Sequence, residues 1–111
     1  MANFYKSETF DLTTTNLTTV LTINTSSIAI VKSVTAVHDT SQNVDTHLTL
    51  KKAGGSDVKI GYVELNKEST NMALNVINME EGDVLKMQAG TANEITGQVS
   101  YLLIDRSQEN G

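Results

Sequence analysis

The sequence predicts an all-β protein: a single antiparallel β-sandwich of about eight strands, jelly-roll-like or Greek-key. Three observations predict it. Apolar residues alternate with polar ones or gather in short β-branched runs, and no helical period persists. Turn-forming clusters interrupt these runs every ~8–12 residues, the spacing of a sandwich or barrel. The chain has no Pro and no Cys, so Gly, Asn, Asp, Ser and Thr must make the turns and no disulfide can staple the core. At 111 residues, one domain over 1–111 is expected, able to bury about two-thirds of the unfolded chain's surface.

The elements follow in order. In residues 4–12, Phe4, Lys6, Glu8 and Phe10 oppose Tyr5, Ser7, Thr9 and Asp11. Neither face is purely apolar, which predicts an edge strand or assembly arm over residues 1–12. Residues 20–23 form a short run after a Thr/Asn-rich turn. Residues 28–37 lose their alternation at Lys32-Ser33, so either both faces are covered or a bulge lies there. Residues 39–45 are a polar loop. Leu48 and Leu50 then face away from His47, Thr49 and Lys51. Ala53-Gly54-Gly55-Ser56-Asp57 is a hairpin-type connection. Val58, Ile60 and Tyr62 make one stripe; Val63 and Leu65 continue it on the other parity, which predicts a bulge at Gly61. After a polar turn at 66–71, Met72, Leu74 and Val76 alternate, and Ile77 and Met79 lead into an acidic turn, Glu80-Glu81-Gly82-Asp83. Leu85, Met87 and Ala89 alternate against Lys86 and Gln88. Ile95, Val99, Tyr101 and Leu103 oppose Thr96, Gln98 and Ser100, with Gly97 on the inner face. Residues 105–111 form a polar tail.

Charge narrows the partners. The net charge is −5, and the basic residues are scattered, which argues against a nucleic-acid partner. No apolar run approaches the ~20 residues of a membrane span. Residues 1–6 lack the basic-then-apolar order of a secretory signal, so synthesis in the cytoplasm is expected. The sequons Asn16-Leu17-Thr18 and Asn24-Thr25-Ser26 read as turn chemistry.

Four constellations could carry chemistry. Residues 39–45 place oxygen-bearing side chains at alternating positions, as a calcium loop does. A calcium loop also needs Gly sixth and Glu twelfth, and here those places hold Val44 and Leu50. His38 and His47, with Asp39 or Asp45, are a zinc candidate that would make a small metal-dependent hydrolase. Glu80, Glu81 and Asp83 offer a carboxylate pair, but adjacent strand residues point to opposite faces and would not converge. The bland reading is a turn in which Gly82 takes positive φ and Asp83 accepts backbone N–H groups. Gly54-Gly55 lacks the Lys and the helix of a phosphate loop, and no nucleophile elbow is present. The expectation is a protein that is not an enzyme and has no catalytic site, metal or cofactor.

The order of residues 80–104 carries a resemblance. Gly82, Asp83, Val84, Leu85, Lys86, Gln88 and Ala89, then Val99, Ser100, Tyr101 and Leu102, resemble the closing hairpin of small β-sandwich virion proteins of tailed bacteriophages, of the marine and cyanobacterial type. Residues 27–37 are similar to the long strand after the first turn in such proteins. There a Pro-Ala-Gly turn often precedes that strand, whereas residues 24–27 take its place here. The resemblance implies a virion component of the head surface, neck or tail, with other virion proteins as partners and a homo-oligomeric state. On that basis a decoration or neck protein that stabilises the particle is expected. The alternative is a receptor- or glycan-binding module of a tail fibre. Phe4, Tyr5 and Phe10 are the candidate interface residues, because three of the chain's five aromatics (three Tyr, two Phe) fall in this one segment and aromatics favour interfaces.

Overall fold

A computed structural model describes residues 2–38, 43–65, 68–72 and 76–106. Among them are nine strands: β1 (Ala2–Leu12), β2 (Thr18–Thr22), β3 (Ser27–His38), β4 (Val44–Lys51), β5 (Asp57–Leu65), β6 (Glu68–Asn71), β7 (Ile77–Met79), β8 (Val84–Ala89) and β9 (Ile95–Asp105). They form two antiparallel sheets packed face to face, the sandwich that the sequence predicts. Sheet A has the order β1-β9-β3-β6, with β7 also on β3, and sheet B the order β2-β8-β4-β5.

Nine strands fill eight places. β6 pairs with Thr35–His38 and β7 with Ala29–Val31, so the two share one side of β3. The expected strand through Met72, Leu74 and Val76 falls in part on residues 73–75, which lie outside the described residues. β6 ends at Asn71 and β7 begins at Ile77, the Met72 N–H still bonds the Val34 carbonyl at 2.8 Å, and Val76 is exposed. The Asn71 side-chain oxygen accepts the Val34 N–H at 3.0 Å. A side chain thus takes a bond that a ladder carbonyl would otherwise supply.

The core lies between the sheets. Val31, Val34 and Ala36 of β3 and Ile95, Val99 and Tyr101 of β9 meet Leu48 of β4 and Leu85, Met87 and Ala89 of β8. On β8 the alternation sets the burial directly, with Leu85, Met87 and Ala89 buried and Val84, Lys86 and Gln88 half-buried. In β3 the register against β9 shifts between Val31 and Ser33. Lys32 is the extra residue, so the parity of buried positions changes there. Of the two readings of the broken alternation, the fold shows the bulge.

A second bulge lies in β5, where Leu48 faces Gly61 and Thr49 faces Lys59. Past it, Val63 and Leu65 turn inward as expected. Val58 before it, the bulged Ile60 and Tyr62 just past it are exposed, so that stripe is not core. β5 is the outer strand of sheet B, and its neighbour across the sandwich is the four-residue β6. β6 is too short to cover the first half of β5.

The chain stays in the fold to its last described residue. Asp105 closes β9, and the Arg106 N–H bonds the Ser26 carbonyl at 2.7 Å. Of the expected polar tail 105–111, Asp105 and Arg106 are described; residues 107–111, the 39–42 part of the polar loop and residues 66–67 lie outside the described residues.

Candidate assembly surface

β1 is an outer strand of sheet A, bonded to β9 along one side through eleven consecutive residue pairs, Ala2 with Asp105 through Leu12 with Ile95, without a register shift. Residues directly opposite share a face. Phe4, Lys6, Glu8, Phe10 and Leu12 therefore share the inner face with Leu103, Tyr101, Val99, Gly97 and Ile95. Asn3, Tyr5, Ser7, Thr9 and Asp11 share the outer face.

Cover on the inner face fades along this strand. Leu12 is fully buried and Phe10 half-buried, but Lys6 and Glu8 are exposed. Phe4 is 45% and Tyr5 79% exposed. The predicted interface residues thus occupy different environments. Phe10 belongs to the domain's own packing, because its ring lies over Gly97, where any Cβ would collide with it. Phe4 and Tyr5 stand free on opposite faces. The Lys6 ammonium lies 5.9 Å from the centre of the Phe4 ring, and that of Lys32 5.5 Å from the Tyr5 ring. Lys6 and Glu8 are the residues that attention to aromatics alone passes over. Their signal was in the sequence: opposite charges two residues apart on the parity that ends in Leu12.

The other outer strands are less open to pairing. β2 has five residues, β5 is bulged, and the far side of β3 is divided between β6 and β7. Short, bulged or interrupted edges resist pairing with another chain.

The polar cluster at the acidic turn holds that turn together. Asp83 is buried and accepts the Ala53 N–H at 3.0 Å and the Glu80 N–H at 2.8 Å, and it pairs with the Lys52 ammonium. Burial alone would push its carboxyl up; the Lys52 hydrogen bond and the two N–H groups outweigh burial and hold it below its ordinary value. The same contact with Asp83, then Glu80, raises the Lys52 pKa. Glu80 pairs with Lys52 at 2.7 Å while Glu81 pairs with Arg106 at 2.6 Å. The two glutamates diverge as expected, although both lie past the end of β7, in the turn and not on a strand.

The two histidines are not brought together. His38 is buried within the sandwich, with Nε2 2.8 Å from a Glu94 carboxylate oxygen. His47 lies on the outer face of sheet B, its ring centre 4.9 Å from that of Tyr62. The Tyr62 hydroxyl donates to Asp45 at 3.1 Å, and partial desolvation followed by this carboxylate raises its pKa to about 12. Thr15, Asp45, His47, Gln88, Ala89 and Gly90 line an open cleft of ≈ 380 Å³ there. The buried His47 Nδ1 has no hydrogen-bond partner. Among the described residues no three His, Asp or Glu side chains gather as a metal site, and Asp39, one proposed ligand, lies outside them.

No family model matches the chain, and no curated protein does. Solved structures do. One chain of the acidic stable capsid structure of Helicobacter pylori bacteriophage KHP30 superposes with a TM-score of 0.60 at 12% identity, over 96% of this chain and 90% of that one. A chain from Bacillus endospore appendages, described as disulfide-linked pili, superposes with a TM-score of 0.54 at 13% identity, over 92% and 84%. At these identities the likeness is one of fold. Both neighbours come from assemblies.

Proposed function

We propose that the protein is a non-enzymatic structural component of a bacteriophage virion that binds neighbouring virion proteins at the head surface or neck, as a decoration protein does. One observation carries the reading. The chain presents a long, regular, open strand with exposed aromatics on a fold shared with a phage capsid chain, and the polar cluster at its acidic turn holds that turn together. The strand order supports a jelly roll, because the pairs β1-β9 and β2-β8 bring the chain's two ends together in both sheets. Residues 80–104 do not form the expected closing hairpin, since β8 pairs with β2 and β4 in sheet B while β9 pairs with β1 and β3 in sheet A; the residue order along β8 and β9 is what favours the marine and cyanobacterial type of tailed phage, with the virion as the site of action.

The test is co-sedimentation of the purified chain with particles lacking it. Replacing Phe4 and Tyr5 by Ser should lower binding at least tenfold, while thermal stability stays within the scatter of surface substitutions, about 0.5 kcal/mol. Unchanged binding by this variant would remove the aromatics from the interface. Particles that never take up the chain would remove the virion role.

A second reading rests on the cleft beside Tyr62. An open polar cleft with a neighbouring aromatic suits a sugar, which would make the chain a glycan-binding module of a tail fibre. Retention on host polysaccharide that His47→Ala abolishes would favour it over decoration.

A further inference from the structure

We infer that two copies of the chain join β1 to β1 in antiparallel register about Ser7, extending sheet A across a two-fold axis. The inference rests on the assembly reading above and adds the partner, the strand and the register. Three observations lead to it.

The first is selectivity among edges. β2 is short, β5 is bulged, and the far side of β3 is divided. Among the outer strands of the described residues, only β1 offers eleven residues without a register shift, an open edge roughly 35 Å long.

The second is symmetry. A two-fold axis that keeps the inner face of both copies on one side pairs residues of like parity. Centred on Ser7, it overlaps the whole strand, because Ser7 is the midpoint of Ala2–Leu12. Every residue of β1 then finds a partner.

The third is charge. In this register Lys6 faces the partner's Glu8, and Glu8 faces the partner's Lys6. Phe4 faces the partner's Phe10 on the same face, an aromatic cross-strand pair. A slip of two residues one way sets Lys6 against the partner's Lys6, and the other way Glu8 against the partner's Glu8. A slip of one residue turns the inner face of one copy outward. Inward-facing charges on an outer strand usually discourage pairing. Here the same two charges reject foreign or slipped strands and match a second copy. They are available, since both side chains are exposed.

Charge reversal tests the pairing. Lys6→Glu and Glu8→Lys should each weaken self-association roughly 10- to 100-fold in sedimentation equilibrium, because each sets two like-charge pairs across the axis. An equimolar mixture of the two variants should associate again, since one chain then carries two acids and the other two bases. Ser7→Cys supplies the register. The chain has no other cysteine, so oxidation or a short thiol-to-thiol linker should join Ser7→Cys chains to each other. It should leave Thr9→Cys chains single, because Thr9 faces the partner's Tyr5. Reversals without effect, with Ser7→Cys chains that do not cross-link, overturn the inference. If such chains still bind particles, the assembly reading survives and only the β1 pairing falls. If the unaltered chain neither self-associates nor binds particles, the reading itself falls.

Discussion

The ring of Phe10 lies over Gly97, the residue directly opposite it on β9. The pair anchors β1 to the sandwich. An aromatic side chain covers the backbone where the facing strand has no side chain, and so shields its hydrogen bonds from water. On the other side, the Thr35 carbonyl of β3 occupies the space a Gly97 Cβ would need.

Gly97→Ala should therefore cost about 1–3 kcal/mol, as overpacking does. Urea unfolding checks this. Phe10→Ala should also destabilise the protein. Combining the two should not restore stability, because the Thr35 carbonyl is backbone and cannot move aside as a ring can. Recovery in the double variant would mean that the ring alone excludes the side chain.

Asp83 predicts a response to acid. Its carboxyl is held below the ordinary value of 3.8 in the folded state. The stability it adds is fully present above that value and is lost as pH falls through the lower, folded one. Unfolding free energy should thus fall on acidification below about pH 4. In Asp83→Asn that part of the slope should vanish. Asp83→Ala should cost about 1–3 kcal/mol at neutral pH, since two N–H groups lose their acceptor.

Gly82 adds a separate test at the same turn. Its φ is +82°, and a Cβ there would come within 2.9 Å of the Ala53 Cβ. Gly82→Ala should destabilise by about 1–2 kcal/mol. Adding Ala53→Gly should recover the steric part only, leaving the backbone cost measurable by the same urea titration.

Tyr62 should ionise late. Ultraviolet titration of the phenols should show a component near 12, absent in Tyr62→Phe and shifted down in Asp45→Asn. Because the folded value exceeds the ordinary one, the stabilising effect of this group is complete below about pH 10 and lost as pH rises through 12.

Much of this was legible in the residues. The Lys32 bulge was legible as one of two readings, because alternation fails there and resumes. The acidic turn was legible because Gly82 and Asp83 each have a local reason to be there. Val58, Ile60 and Tyr62 misled because alternation reveals which residues share a face, not whether anything covers that face. β6 was missed because Glu68–Asn71 carries no apolar pattern. It is a strand by virtue of the end of β3 beside it. At the candidate surface the aromatics were visible from composition. The match of Lys6 to Glu8 became meaningful only once the strand's limits placed Ser7 at its middle. The same limits correct the simplest experiment, removal of residues 1–12. Leu12 is in the core and β1 is a whole strand of sheet A, so truncation would damage the fold along with any interface.

The division of the far side of β3 between β6 and β7 has a consequence for growth. A molecule with two continuous edges could add copies at both and run on as a fibre, as open strand stacking does. With one long edge and, among the described residues, one divided into pieces of four and three residues, the β1 pairing inferred above would leave no second long edge of sheet A for further addition. On that inference the divided edge would act as a terminator and favour a closed pair over a fibre.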